Sequence, residues 1–468
     1  MTTSKKTKLA HLGRSATNRV NTVNLPQQRA STVLFDSLAH MNESQQRQMR
    51  GEQVPTYGIF NMPDSLALEN SVAELEGGYR AMSFPSGLAA VAGAILSCVK
   101  SGDHVLMTDG SYDPGRRFCD TVLKRMGVET TYYDPLIGAG IEALMRPNTT
   151  VVYTESPSSN TFEIQDIPAI SAVAHKHGAA VIMDNAWATG LLFDAFSHGV
   201  DIVVQPATKY YAGHSDVLIG LVIANEAYWP QVCDTNYALG QRASSEDCFL
   251  TLRGIRTMGI RLQQHATSAM TVARWMQSRP EVARVLYPAL EDDPGHAIWK
   301  RDFSGASGLF AIELKSCTQP QLAAMIDGYE YFGLGYSWGG FESLVMASYP
   351  TRTLAASHTG QLVRFSIGLE DVDDLLADLE AGFARFNELK PCQQPRHAKR
   401  RSKTRKAIST ATTFIATSRG AWQYQPKARI PTARMRCAAI SPRKWCRSSI
   451  HWALRQPSTT TPNAEDRF

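Results

Sequence analysis

No stretch of this 468-residue chain approaches the 18 consecutive apolar residues of a membrane-spanning helix, so no helical span is expected. The basic residues between Met1 and Val20 have no apolar run behind them, which argues against a secretory signal peptide. Eight cysteines, at positions 98, 119, 233, 248, 317, 392, 437 and 446, are scattered and form no Cys-x-x-Cys pair. That pattern is neither a disulfide framework nor a zinc site, and a reduced, cytoplasmic setting is expected. His175 and His177 lie two apart on a candidate helix and point to different faces, so no metal pair is expected. No internal repeat is visible. The composition is ordinary for a globular protein, with 43% apolar and 19% charged residues, and the length suits two or three domains.

Acidic residues run out towards the end of the chain. From Arg396 onward there are 17 Lys+Arg and 2 Asp+Glu, so the formal charge of +5 hides an acidic body of 31 basic and 41 acidic residues. The same segment shows no sustained apolar period, and residues 396–468 are expected to be a disordered extension that adds nothing to the fold. A nucleic-acid-binding tail on an inactive scaffold is the competing reading.

Two apolar runs carry the chemistry. Ala179-Ala-Val-Ile-Met-Asp-Asn-Ala-Trp187 and Val203-Val-Gln-Pro-Ala-Thr-Lys-Tyr210 each end abruptly in a charged group. Runs of this length read as buried strands, and their separation suits neighbours in a largely parallel sheet. Ligands of open α/β sheets sit beyond the carboxyl ends of the strands, where Asp184 and Lys209 would both be delivered. An acid and a lysine there match the needs of pyridoxal phosphate (PLP), although a structural ion pair would look the same. Pro85-Ser-Gly-Leu88 turns directly into the apolar helix Ala89–Leu96. Its free N–H groups at Gly87 and Leu88 would suit a phosphate.

Ala207-Thr-Lys-Tyr-Tyr-Ala-Gly-His-Ser-Asp216, Met183-Asp-Asn-Ala-Trp187 and Tyr336-Ser-Trp-Gly-Gly340 resemble motifs of the transsulfuration family of fold-type-I PLP enzymes. The resemblance runs with few gaps from about Asn21 to Phe386. It implies an α/β fold with a mostly parallel central sheet, helices on both faces and a smaller C-terminal α+β domain. It also implies a homo-oligomer, expected to be a tetramer, in which an N-terminal arm enters a neighbouring subunit's active site. Lys209 would hold PLP covalently and then act as the base; Asp184 would pair with the pyridine nitrogen; Tyr112 would stack on the ring and join the catalysis. Gly87, Leu88 and Thr208 would hold the phosphate, with Tyr57 from the neighbour. Arg364 would clamp the substrate carboxylate, and Ser337 and Trp338 would line its pocket. The implied reaction is carbon–sulfur β-elimination on L-cystathionine and related thioether or disulfide amino acids, with γ-lyase, γ-synthase or methionine γ-lyase activity as alternatives. Two positions depart from the pattern. Ile59 stands where relatives often carry arginine, and Pro206 where many carry serine, so the phosphate has fewer donors.

The organisation expected from these signals is an arm over 1–60, a PLP-binding domain over 61–255, a C-terminal α+β domain over 256–395 and the tail. Helices are expected over Ser65–Glu76, Pro168–Gly178, Ser245–Gln264 and Asp371–Asn387. Strands are expected over Arg80–Phe84, His104–Thr108, Thr150–Glu155 and Leu218–Ala224, with half-buried strands at Gly308–Leu314 and Leu362–Gly368.

Overall fold

A computed structural model describes residues 4–14, 22–354 and 358–389. The tail from Arg396 lies outside these residues.

Seven strands build the larger sheet: β1 (Arg80–Phe84), β2 (His104–Thr108), β3 (Glu129–Tyr133), β4 (Thr149–Glu155), β5 (Ala180–Asp184), β6 (Ile202–Gln205) and β7 (Gly220–Ala224). Their spatial order is β1-β7-β6-β5-β4-β2-β3. β6, β5, β4, β2 and β3 are mutually parallel, while β7 is antiparallel to both its neighbours, β1 and β6. β1 therefore points the same way as the parallel set, and its end at Phe84 reaches the same rim as Asp184. β5, β6 and β7 are buried along their entire lengths, which is why they read as continuous Val/Ile-rich runs rather than as alternating ones. β3 was not anticipated. Its sequence, Glu-Thr-Thr-Tyr-Tyr, contains no apolar run, and it forms as an edge strand against β2.

Helices begin and end where local chemistry allows. Gly77 closes the helix Pro63–Glu76 in a left-handed conformation (φ 83°), which glycine adopts without steric cost. Ser86 caps the helix Gly87–Leu96 by accepting from the Ala89 N–H at 3.1 Å. His175 and His177 have separate acidic partners, Asp201 and Glu142, each at 2.9 Å. Among the described residues, no group of three or more His, Cys, Asp or Glu could hold a metal ion. None of the described helices is long and apolar enough to cross a membrane.

The smaller sheet contains β8 (Val282–Leu286), β9 (Leu309–Leu314), β10 (Gly333–Leu334), β11 (Leu344–Ser348) and β12 (Gln361–Ser366), in the order β10-β11-β12-β9-β8. Three expectations change here and in the arm. β9, paired to β12 and β8 at its edges, is buried along its whole length rather than on one face. Glu313 tolerates that position by accepting from the N–H groups of Thr359 and Gly360 at 2.8 and 2.7 Å. The helix expected to stop at Gln264 runs 33 residues, Ser245–Gln277, through the boundary placed at 255. The arm contains two helices, Lys5–His11 and Leu38–Met49. The second buries only Ser44, so it has no apolar stripe for a periodicity reading to find.

Candidate active site

The site is assembled at the carboxyl ends of the larger sheet. Asp184 is the last residue of β5, and its side chain is 5% exposed. One oxygen accepts from the Ala186 N–H at 3.0 Å. Burial raises its pKa to about 7, against the lowering effects of that hydrogen bond and of the Lys209 charge. A cationic ring N–H brought to it would favour the ionised form.

Lys209 lies in the connection between β6 and β7. Because β7 runs back against β6, this whole connection stays on the carboxyl rim. The Lys209 Nζ donates to Ser337 Oγ at 2.6 Å and lies 5.0 Å from the centre of the Trp338 ring. Burial lowers its pKa to about 8, helped by the Arg364 charge and opposed by Asp184. This leaves a fraction of the amine neutral near physiological pH, far more than for an unperturbed lysine, as a nucleophile or base requires.

Arg364 comes from β12, in the smaller sheet. Its Nη2 donates to the Ser337 carbonyl at 3.0 Å and its Nη1 to Asn160 Oδ1 at 3.4 Å. Ser337 sits at φ 73°, an unfavourable region for a residue with a side chain, so this guanidinium contact helps hold a strained turn. Gly339 follows at φ 82°. A Cβ there would come within 3.2 Å of the Tyr210 N and 3.3 Å of the Lys209 carbonyl carbon. The Ser-Trp-Gly-Gly turn therefore lies directly on the lysine's own backbone. Trp338 packs edge-on against Tyr210 at 5.4 Å and, with Asp184, Asn160 and Arg364, lines one pocket.

The phosphate side also suits PLP. The first N–H groups of a helix have no acceptor inside it. Ser86 takes that of Ala89, which leaves those of Gly87 and Leu88 available for an anion. Gly87 is required sterically, since a Cβ there would meet the Pro206 ring at 2.6 Å. Pro206 thus closes the floor of this cradle while supplying no donor. Thr208 is already engaged: its hydroxyl donates to the Ile219 carbonyl at 3.2 Å and accepts from the Ile219 N–H at 3.0 Å. To serve a phosphate, its proton would have to turn away from that carbonyl. Tyr112, just past β2, keeps a half-exposed ring, and burial followed by the Asp184 charge raises its phenol pKa.

Tyr57 does not join this group within the chain. It lies on the arm, half exposed, in a turn tied to Ser31 through the Gly58 N–H. Ile59 lines a separate groove with Glu69, Arg80 and Arg242. Two contributors were not anticipated, Glu155 and Asn160. Glu155 ends β4 and is paired in register with Asp184. An acid closing an apolar run is the same signal that marked Asp184, and Thr150–Glu155 displays it.

The comparisons agree with this chemistry. The profile of the Cys/Met metabolism PLP-dependent enzyme family matches residues 6–384. A cystathionine beta-lyase of Escherichia coli strain K12 is 44% identical over 389 residues, covering 81% of this chain and 98% of its own. An L-alanine/L-glutamate racemase of Wolbachia pipientis is 37% identical over 396 residues, covering 82% of this chain and 97% of its own. Among solved structures, a cystathionine gamma-lyase from Lactobacillus plantarum superposes with a TM-score of 0.75 at 30% identity, covering 82% of this chain and 100% of that one. This chain belongs to the Cys/Met metabolism family of PLP-dependent enzymes.

Proposed function

We propose that the chain is a carbon–sulfur β-lyase that converts L-cystathionine and water to homocysteine, pyruvate and ammonia, and accepts related amino acids such as cystine. The observation that carries this reading is the Lys209 amine, held at 2.6 Å from Ser337 Oγ and sharing a buried charge environment with Asp184 and Arg364. When bound, PLP supplies an electron sink that acidifies the substrate proton next to the amino group. Lys209 holds the cofactor, then takes that proton as a neutral amine. Asp184 keeps the ring nitrogen protonated. Gly87 and Leu88 hold the phosphate through their N–H groups, Thr208 joins them once its hydroxyl proton turns from the Ile219 carbonyl, and the Tyr112 ring covers the cofactor face. Arg364 binds the substrate carboxylate through its planar fork, and Ser337 steadies the lysine between roles. Tyr57 serves the phosphate of a neighbouring subunit, so the working unit is a homo-oligomer.

Trp338 favours β- over γ-cleavage. γ-Elimination needs a second proton abstraction, at Cβ, and so more room along the substrate chain. The indole lies on the pocket wall next to Lys209 and limits how that chain can sit. Product analysis with cystathionine is the test: homocysteine and pyruvate are expected. Cysteine and 2-oxobutyrate as main products would replace this reading with a γ-lyase. Racemisation of L-alanine without thiol release would replace it with the activity named for the Wolbachia relative.

The lysine's lowered pKa gives a second expected result. Below a pH of about 8 the amine is mostly protonated and cannot attack the PLP aldehyde, while above it the amine is mostly neutral. PLP capture by the apoprotein should therefore speed up between about pH 7 and pH 9 and then level off. Rapid-mixing absorbance measures it. A rate still climbing at about pH 10, as for an unperturbed lysine, would contradict the assignment.

A further inference from the structure

Glu155 and Asp184 are adjacent in register at the ends of β4 and β5, and both side chains are buried. Asp184 has its role above. Both oxygens of Glu155 are occupied by hydrogen bonds. Its Oε2 accepts from the Tyr112 N–H at 2.8 Å, and its Oε1 contacts the Ser159 hydroxyl. These contacts join two loops. One follows β2 and carries Tyr112. The other follows β4 and carries Asn160, which is held at φ 63° with its Oδ1 at 3.4 Å from Arg364 Nη1. The same loops are stitched once more, by the Ser159 N–H donating to the Gly110 carbonyl at 2.7 Å.

We propose that Glu155 is a positioning residue that sets where Tyr112 lies over the cofactor and where Arg364 meets the substrate, by tying the loop after β2 to the turn after β4. This rests on the PLP reading above. Tyr112 begins the helix Asp113–Phe118 with no side-chain cap, and the Glu155 contact holds its backbone N–H where the chain enters that helix. Burial and the Asp184 charge push the Glu155 carboxyl well above the ordinary carboxylate range, which favours its neutral form next to Asp184. A neutral side chain of the same shape should therefore do the same work.

The test compares Glu155→Gln, Glu155→Asp and Glu155→Ala. Glu155→Gln keeps an acceptor for the Tyr112 N–H, and PLP affinity and cystathionine KM are expected to stay within about threefold of wild type. Glu155→Ala leaves that buried N–H without a partner, and should weaken PLP binding to the apoprotein about tenfold or more and raise KM. Glu155→Asp pulls the carboxylate back by one methylene and should fall between them. Circular dichroism of the bound cofactor reads the Tyr112 placement independently of turnover, and apoprotein melting controls for folding. If Glu155→Ala does not fold, Glu155→Asp carries the comparison. Wild-type affinity and dichroism in the alanine or aspartate variant would overturn the proposal, as would a glutamine variant as impaired as alanine. Failure of the wild-type chain to take up PLP would instead overturn the functional reading itself.

Discussion

Lys209→Ala is expected to abolish covalent retention of PLP and to lower cystathionine turnover by at least about a thousandfold, since both the attachment point and the base are lost. The loss should not come from unfolding. Burial disfavours the charged form of this lysine, as its pKa of about 8 records, so removing the amine takes away a strained group rather than a stabilising one. Its partner Ser337 retains the Arg364 contact to its carbonyl. The apoprotein's melting temperature should therefore be unchanged or slightly raised. Borohydride reduction followed by peptide mapping is the decisive measurement. A reduced adduct still present in the variant would move the attachment to another lysine and remove Lys209 from the mechanism.

Arg364→Lys should be the second most damaging change among these residues. Lysine keeps the charge but not the planar fork, so a carboxylate loses one of two parallel hydrogen bonds. A hydrogen bond to a charged partner is worth about 1.5–3 kcal/mol, so kcat/KM should fall by roughly one to two orders of magnitude. Most of this should appear in KM. Some should appear in kcat, because the Arg364 Nη2 also holds the Ser337 carbonyl, and Ser337 Oγ meets the lysine. PLP content should be unaffected, since no phosphate or ring contact depends on this residue. A loss of less than about tenfold in kcat/KM would show that another group binds the substrate carboxylate.

The elements legible in the sequence share one property, that their signal is local. β1 and β2 fall where the runs Arg80–Phe84 and His104–Thr108 place them, because each is an apolar stretch closed by turn residues. The helix expected over Ser65–Glu76, from the spacing of Leu66, Val72 and Leu75 and from the two glycines after it, forms over Pro63–Glu76. Asp184 and Lys209 could be put on one rim because apolar runs end at or just before them. The arm helix Leu38–Met49 and β3 escaped notice for the converse reason: neither has an apolar face or run of its own.

The sequence by itself determined which residue types reach the sheet's carboxyl edge, since strand ends and helix caps are set within a few residues of chain. Only the tertiary structure decided how they act together. Ser337 lies 128 residues from Lys209, and their contact exists because a turn with two left-handed residues settles on the lysine's backbone. Thr208 looked free for a phosphate until the return of the chain at Ile219 occupied its hydroxyl. Glu155 closes an apolar run as Asp184 does, but only the pairing of β4 with β5 sets it against Asp184 in a buried place. There its charge state and partners depend on burial and on a neighbouring strand, which no local pattern encodes.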